Sequence, residues 1–393
     1  MRITVLCTDL GIRVPGEKGA SMHLMSITRA LAEIGHEVQL IAVAGHGPTP
    51  TGLAQVHLLP HPGRAEGLQR ELNKLAFVER VATEMADVVK SFAPDVIYER
   101  LALFGSAGAQ LAATVPGCRH VLEVNSLLAE EESEWRGLHL APLATRVERE
   151  VLEHAHLAIA VSDEVAAKVR AAAPAARCAV VANGAEVERF RHLPFAVQAR
   201  RDLGLPQRVP MVAFVGALRP WHGVDLAIDA IARTADMHLV VAGDGPIRTD
   251  LAQHAASLGV WGRVHFLGHV DHGRVAATLA AADVAVAPYP ALSSFSFSPL
   301  KLYEYLAAGV PVVASSIGQI PAVLDHGRWG TLVPAGDVEA LAHALQAAAT
   351  DPGAKERAIT ARRHALRHHG WQQRARDIVA LVDGAEVRSR AMA

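Results

Sequence analysis

Residues 294–315 read SFSFSPLKLYEYLAAGVPVVAS. Ser298 is a good helix N-cap, and Pro299 suits the first helical position because its missing N–H has no intrahelical partner anyway. The pair predicts a short amphipathic helix, ended by Ala308-Gly309 and followed by a valine-rich strand. Lys301 then falls in the first turn, against the positive end of the helix dipole, an unfavourable placement by a few tenths to ~1 kcal/mol. A bound phosphate reverses that sign, because free N–H groups at a helix start attract anions and a lysine adds a mobile charge. Glu304, three residues on, shares the face and can accept hydrogen bonds from the vicinal hydroxyls of a ribose. Lysine for a diphosphate and glutamate for a ribose together describe a nucleotide-sugar site. The same spacing also serves a solvated Lys–Glu pair.

On either side of this stretch, short β-rich runs alternate with longer helical patterns. Residues 3–7, ITVLC, read as a buried strand. Residues 21–38, SMHLMSITRALAEIGHEV, follow with Leu24, Ile27, Leu31 and Ile34 on one face, Ser21 as the expected N-cap and Gly35 as the stop. The strand at 38–43, VQLIAV, completes a βαβ unit with parallel pairing. The Arg- and Pro-rich segment 190–210 breaks the pattern and reads as a linker, after which a second βα series begins. A chain of 393 residues with two such series predicts an α/β protein of two Rossmann-like, doubly wound domains facing across a cleft. The expected domains are 1–195 and 206–371, with 372–393 as a C-terminal helix packing back on the first.

The formal net charge of −2 gives no electrostatic basis for binding nucleic acid, and membrane association is expected to be weak at most. No apolar run approaches the ~20 residues that cross a bilayer. Cys7, Cys118 and Cys178 are odd in number and far apart, which reads as free thiols, with Cys7 and Cys178 buried in strands. The start, MRITVLCTDLG, is a strand and turn rather than a secretory leader, so a cytoplasmic location is expected.

The segment EYLAAGVPVVAS resembles the donor-site motif of retaining glycosyltransferases of family 4, which have the GT-B fold. The resemblance implies a ribose-binding role for Glu304 and donor contacts from Ser298 and Leu300. It places Ser296 where the family has a first glutamate, with Phe297 beside it near the donor sugar. The Ser-Pro-Leu-Lys variant looks like one sub-branch of that family. Further matches extend over most of the chain. PGEKGASMHL, with Gly16 and Gly19, resembles the glycine-bearing loop after the first strand. VGALRPWHG resembles the opening of the second domain, where the family's diphosphate-binding arginine and lysine are replaced by Ala217 and His222. Arg219 and His222 are therefore expected to share that task, Arg219 being always charged. Gly243 and Gly245 belong to a Gly-x-Gly-Pro turn, and His269 and Val270 fall where the family holds the base through backbone groups. Asn125 stands where the family often has a histidine near the reacting sugar. The acidic run Glu130, Glu131 and Glu132 reads as a solvated loop, with a contact for a basic acceptor as the alternative.

Arg248 occupies the third glycine position of a dinucleotide fingerprint, which argues against a dehydrogenase. No Asp-x-Asp tripeptide and no His/Cys cluster with metal spacing is present, so neither metal nor cofactor is expected. Lys301, Arg219 and Asn125 are the expected catalytic residues. The implied partners are a UDP-sugar donor and a small-molecule or saccharide hydroxyl acceptor, a natural product or cyclitol being favoured. A surface polysaccharide or glycolipid acceptor, and a GT-B-like module that binds without turnover, stay open as alternatives.

Overall fold

The structure, a computed structural model, describes residues 1–16, 18–292 and 300–384. It divides into two units, one comprising Met1–Asn183 together with the helix Trp371–Val382, the other formed by the chain between them.

In the first unit the strands are β1 (Arg2–Cys7), β2 (Arg13–Val14), β3 (Glu37–Ala44), β4 (Gln55–Leu59), β5 (Val96–Arg100), β6 (Arg119–Val124), β7 (Leu157–Ala160) and β8 (Cys178–Val180). They pair in parallel in the order β3-β1-β5-β6-β7-β8, with β4 and the short β2 both added to β3. Successive residues of β1 feed opposite faces. Ile3 and Val5 meet Leu24, Ile27 and Leu31 of the helix Gly19–Glu33 and Ile378 and Val382 of the C-terminal helix. Leu6 turns the other way, onto Phe77, Val78 and Leu111. A sheet covered on both faces accounts for strands that are apolar almost throughout.

The second unit contains β9 (Met211–Val215), β10 (His238–Ala242), β11 (Val264–Gly268), β12 (Val284–Ala287), β13 (Val312–Ser316) and β14 (Thr331–Pro334). Their order is β11-β10-β9-β12-β13-β14, all parallel. The direction of winding reverses between β9 and β12. At such a switch point the loops leaving the carboxyl ends part and make a natural ligand crevice.

Local expectations are corrected in several places. The first helix begins at Gly19 with Lys18 as its N-cap, so Ser21 lies inside the first turn and is buried; Gly35 ends it with φ 97°. The division falls between Asn183 and Gly184, ahead of the segment 190–210. That segment packs into the second unit because Arg200 is buried there: Nε donates to the Ala281 carbonyl (2.8 Å), Nη1 to Gln207 (2.9 Å) and Val209 (3.1 Å), and Nη2 to Asp283 (2.8 Å). Its composition resembles a linker only because a guanidinium ringed by carbonyls is still counted as polar. The run Glu130–Glu132 lies in the helix Leu128–Arg136, and Glu132 is buried among Arg70, Lys74 and Arg136 rather than solvated. All three cysteines are free, but Cys178 is only half-buried; burial pushes the Cys7 thiol up to about 12 and Cys118 up to about 11, so neither is poised to react.

Substituting Arg200 by Ala removes four hydrogen bonds and strips a partner from Asp283, which also holds the Met211 N–H (2.9 Å). A loss of about 2–3 kcal/mol is expected in denaturant unfolding. A loss under ~0.5 kcal/mol, the usual ceiling for a surface substitution, would contradict the structural role given to 190–210.

Candidate functional site

The helix Leu300–Ala308 sits at the switch point of the second sheet. Leu302, Tyr303, Tyr305 and Leu306 are its buried side. Tyr305 reaches the place where β9 and β12 separate: its hydroxyl accepts the Val215 N–H (2.9 Å) and lies 3.4 Å from the carbonyls of both Val215 and Val286. Backbone groups freed by the parting strands are thereby satisfied, and the helix is fixed in rotation.

With Tyr305 inward, Lys301 is carried over the end of β9. Its Nζ lies 4.3 Å from the Phe214 ring centroid and 5.2 Å from that of Tyr289, is shut off from water, and has no hydrogen-bond partner among the described residues. A methyl group added at Gly216 would stand 3.2 Å from that nitrogen. Two aromatic faces contribute about 0.5–2 kcal/mol each to holding a cation. Desolvation wins nevertheless, and burial pulls the Lys301 amine down to about 7, against a smaller upward pull from Glu304. Burial likewise raises the Glu304 carboxyl to about 7, with Arg189 and Lys301 opposing it and Glu186 adding to it. Arg189, on the turn Val187–Phe190, acts on that carboxyl through its charge and is a residue that the sequence alone did not single out.

The loops around Lys301 are close-packed backbone. A Cβ on Gly243 would fall 1.9 Å from the Gly216 carbonyl oxygen and one on Gly245 2.2 Å from that of Leu218, so neither position admits a side chain. The Leu218 N–H donates to the Asp244 carbonyl (2.9 Å), and that of Gly243 to Gly268 (2.9 Å), tying these turns together. His222 donates from Nδ1 to the Ala217 carbonyl (2.5 Å) and lies among Phe214, Trp221 and Tyr289. Burial, with Lys301 next, lowers it to about 4, so it is uncharged at neutral pH and its Nε2 carries the lone pair. Arg219 is exposed, 5.8 Å over the Trp221 ring. His269 and Val270 follow β11 and Leu300 opens the helix, half-buried. Ser296, Phe297, Ser298 and Pro299 lie outside the described residues.

Gly16, Gly19 and Asn125 belong to the first unit. At Gly16 a Cβ would meet the Arg13 carbonyl oxygen at 2.4 Å, whereas at Gly19 it would meet open space, leaving the helix start uncrowded. Asn125 follows β6 and donates from Nδ2 to Glu123 (2.5 Å). Among the described residues no three His, Cys, Asp or Glu side chains gather to hold a metal ion, and no helix is long and apolar enough to cross a membrane.

The two doubly wound sheets have the architecture of a GT-B fold, and solved structures of that fold superpose on nearly the whole chain. Sucrose-phosphate synthase from Thermosynechococcus elongatus matches with a TM-score of 0.76 over 97% of this chain and 98% of that one, at 24% identity. Anabaena Alr3699/HepE in complex with UDP matches with a TM-score of 0.73 over 98% and 100%, at 20% identity. Residues 18–189 match the model of glycosyltransferase family 4, and residues 209–351 that of the glycosyl transferases of group 1. The chain thus has the domain make-up of a family 4-like glycosyltransferase. D-inositol 3-phosphate glycosyltransferase of Mycobacterium tuberculosis (strain H37Rv) is 34% identical over 237 residues, 57% of this chain and 48% of that protein. The chain therefore spans about half the length of the curated relatives it matches.

An amine buried without a partner weakens the empty protein. Its pKa is about 7 when folded against an ordinary 10.5, so the unfolded chain binds the extra proton between those values and native stability rises with pH across that window. Lys301→Met is therefore expected to raise the melting temperature of the ligand-free protein by a few degrees at pH 6–7, about 1–3 kcal/mol, the gain shrinking towards pH 10. A fall in melting temperature at pH 6 would show the ammonium to be satisfied.

Proposed function

We propose that this protein transfers a sugar from a UDP-sugar to a hydroxyl group of a small polyol, with retention of configuration and without a metal ion. One observation carries the reading: the buried Nζ of Lys301, without a hydrogen-bond partner among the described residues, at the carboxyl edge of the second sheet and beside a carboxyl group one helical turn away. The ligand that meets both is an anion linked to a diol, which is the diphosphate and ribose of a nucleotide sugar. The HepE structures in complex with UDP and with UDP-glucose support this donor class. The inositol phosphate in the name of the curated relatives supports a cyclitol or its phosphate as acceptor.

In this reading Lys301 and Arg219 take up the diphosphate charge, Glu304 accepts from the ribose hydroxyls, and His222 offers Nε2 as an uncharged acceptor. The first unit receives the acceptor, beside Asn125. As the bond between the anomeric carbon and the β-phosphate oxygen breaks, negative charge grows on UDP where Lys301 is already desolvated and preorganised, the arrangement in which a fixed charge acts most strongly. The acceptor hydroxyl forms the new bond on the same face, and its proton passes to the departing phosphate oxygen. A free UDP-glycosyl turnover assay with a panel of UDP-, GDP- and dTDP-sugars tests the assignment. Lys301→Met should lower kcat about 10²–10³-fold. Saturable nucleotide binding with no product from any donor would leave a binding module instead.

The two shifted groups give UDP affinity a bell-shaped pH dependence centred near pH 7. Above about 7 Lys301 loses the charge the anion needs, and below about 7 Glu304 loses the carboxylate the diol needs. Calorimetric titration of UDP from pH 5.5 to 9 should show both limbs. The alkaline limb should flatten in Lys301→Met, and the acid limb in Glu304→Gln. Identical profiles in wild type and both variants would remove Lys301 and Glu304 from the nucleotide site.

A further inference from the structure

Glu123 is almost fully buried at the end of β6, and four donors from three segments of the first unit converge on it. His23 Nε2 (2.9 Å) and the Tyr98 hydroxyl (2.5 Å) reach Oε2, while Arg100 Nη1 (2.8 Å) and Asn125 Nδ2 (2.5 Å) both reach Oε1. Burial alone would raise this carboxyl; His23, Arg100 and Tyr98 outweigh it and hold it well below the usual range, so it is a carboxylate. A carboxylate only accepts hydrogen bonds, which settles the Asn125 amide: Nδ2 faces Glu123 and Oδ1 is turned away from it. Arg100, with one nitrogen spent on the same oxygen, lies beside that amide and keeps further N–H groups. Its charge is balanced by the carboxylate it touches.

We propose that Glu123 is a positioning residue that holds Arg100 and Asn125 as a hydroxyl-reading pair for the acceptor polyol. A hydroxyl both donates and accepts. It can give its proton to Asn125 Oδ1 and receive an N–H from Arg100, whereas a phosphate is chiefly an acceptor and meets a guanidinium already neutralised by Glu123. His23 is held from behind, edge-on to Trp371 at 4.8 Å, so the C-terminal helix also supports this arrangement. The inference rests on the acceptor-side part of the function proposed above.

The test uses the full chain saturated with UDP and myo-inositol as the probe, with binding followed by saturation-transfer NMR and UDP affinity by calorimetry. Wild type binds the polyol, and inorganic phosphate at equal concentration does not displace it. Glu123→Gln, whose amide can also donate and so no longer fixes the orientation of Asn125, weakens polyol binding about tenfold or more. Asn125→Ala and Arg100→Ala do the same, and UDP affinity stays within about twofold in all three, a separation that loss of fold would not give. Should Glu123→Gln not fold, the half-exposed Asn125→Asp, which sets a second carboxylate against Glu123, carries the same expectation. Absence of polyol binding to UDP-loaded wild type, displacement by phosphate, or a parallel loss of polyol and UDP binding would each overturn the proposal. Polyol binding without UDP binding would instead sink the donor assignment and leave the hydroxyl-reading pair standing.

Discussion

The second unit turns on the Tyr305 hydroxyl. Parallel strands that wind in opposite directions must part where the winding reverses, and the parting leaves backbone N–H and C=O groups of Val215 and Val286 without the partners a ladder supplies. A phenol reaching in from the helix Leu300–Ala308 satisfies them at a cost of one side chain. The helix then has no freedom to rotate, and positions one and four places before Tyr305 are set towards the strand ends. Lys301 and Glu304, both half-buried, take their placement from that anchor.

The carboxyl edges of the two sheets resolve the problem of buried charge in opposite ways. In the second unit a lysine is left under aromatic rings without a hydrogen bond among the described residues, a state that weakens the empty fold and that a bound anion would relieve. In the first, Glu123 is saturated by four donors and is stable as it stands. An unsatisfied charge suits a place where a charged ligand arrives. A satisfied one suits a scaffold whose neighbours must not move.

Much of this was legible in the residues. Alternating β-rich and helical periods gave two doubly wound units, and the three-residue spacing of Lys301 and Glu304 put them on one face. The glycines at 243 and 245 announced close backbone, and the structure shows which carbonyls they admit. Contacts across long stretches of chain were not legible. His23 and Glu123 are 100 residues apart, and nothing local marks either as half of a pair. Glu123 reads as one more strand residue in RHVLEV, because period alone cannot tell a buried carboxylate from one turned to water. The burial of Arg200 was hidden for the same reason: three of its four hydrogen bonds go to main-chain carbonyls, which every sequence possesses, and the fourth to Asp283, 83 residues on.

The route of the chain has a consequence of its own. It leaves the first unit after Asn183 and re-enters at Trp371, so the second unit is an insertion within the first. The two crossing points are stitched together by the backbone bridge between Ala185 and Gly370 and by the Ala185 N–H to the His369 carbonyl at 2.8 Å. An inserted body whose ends already meet closes on itself like a loop drawn shut at its neck.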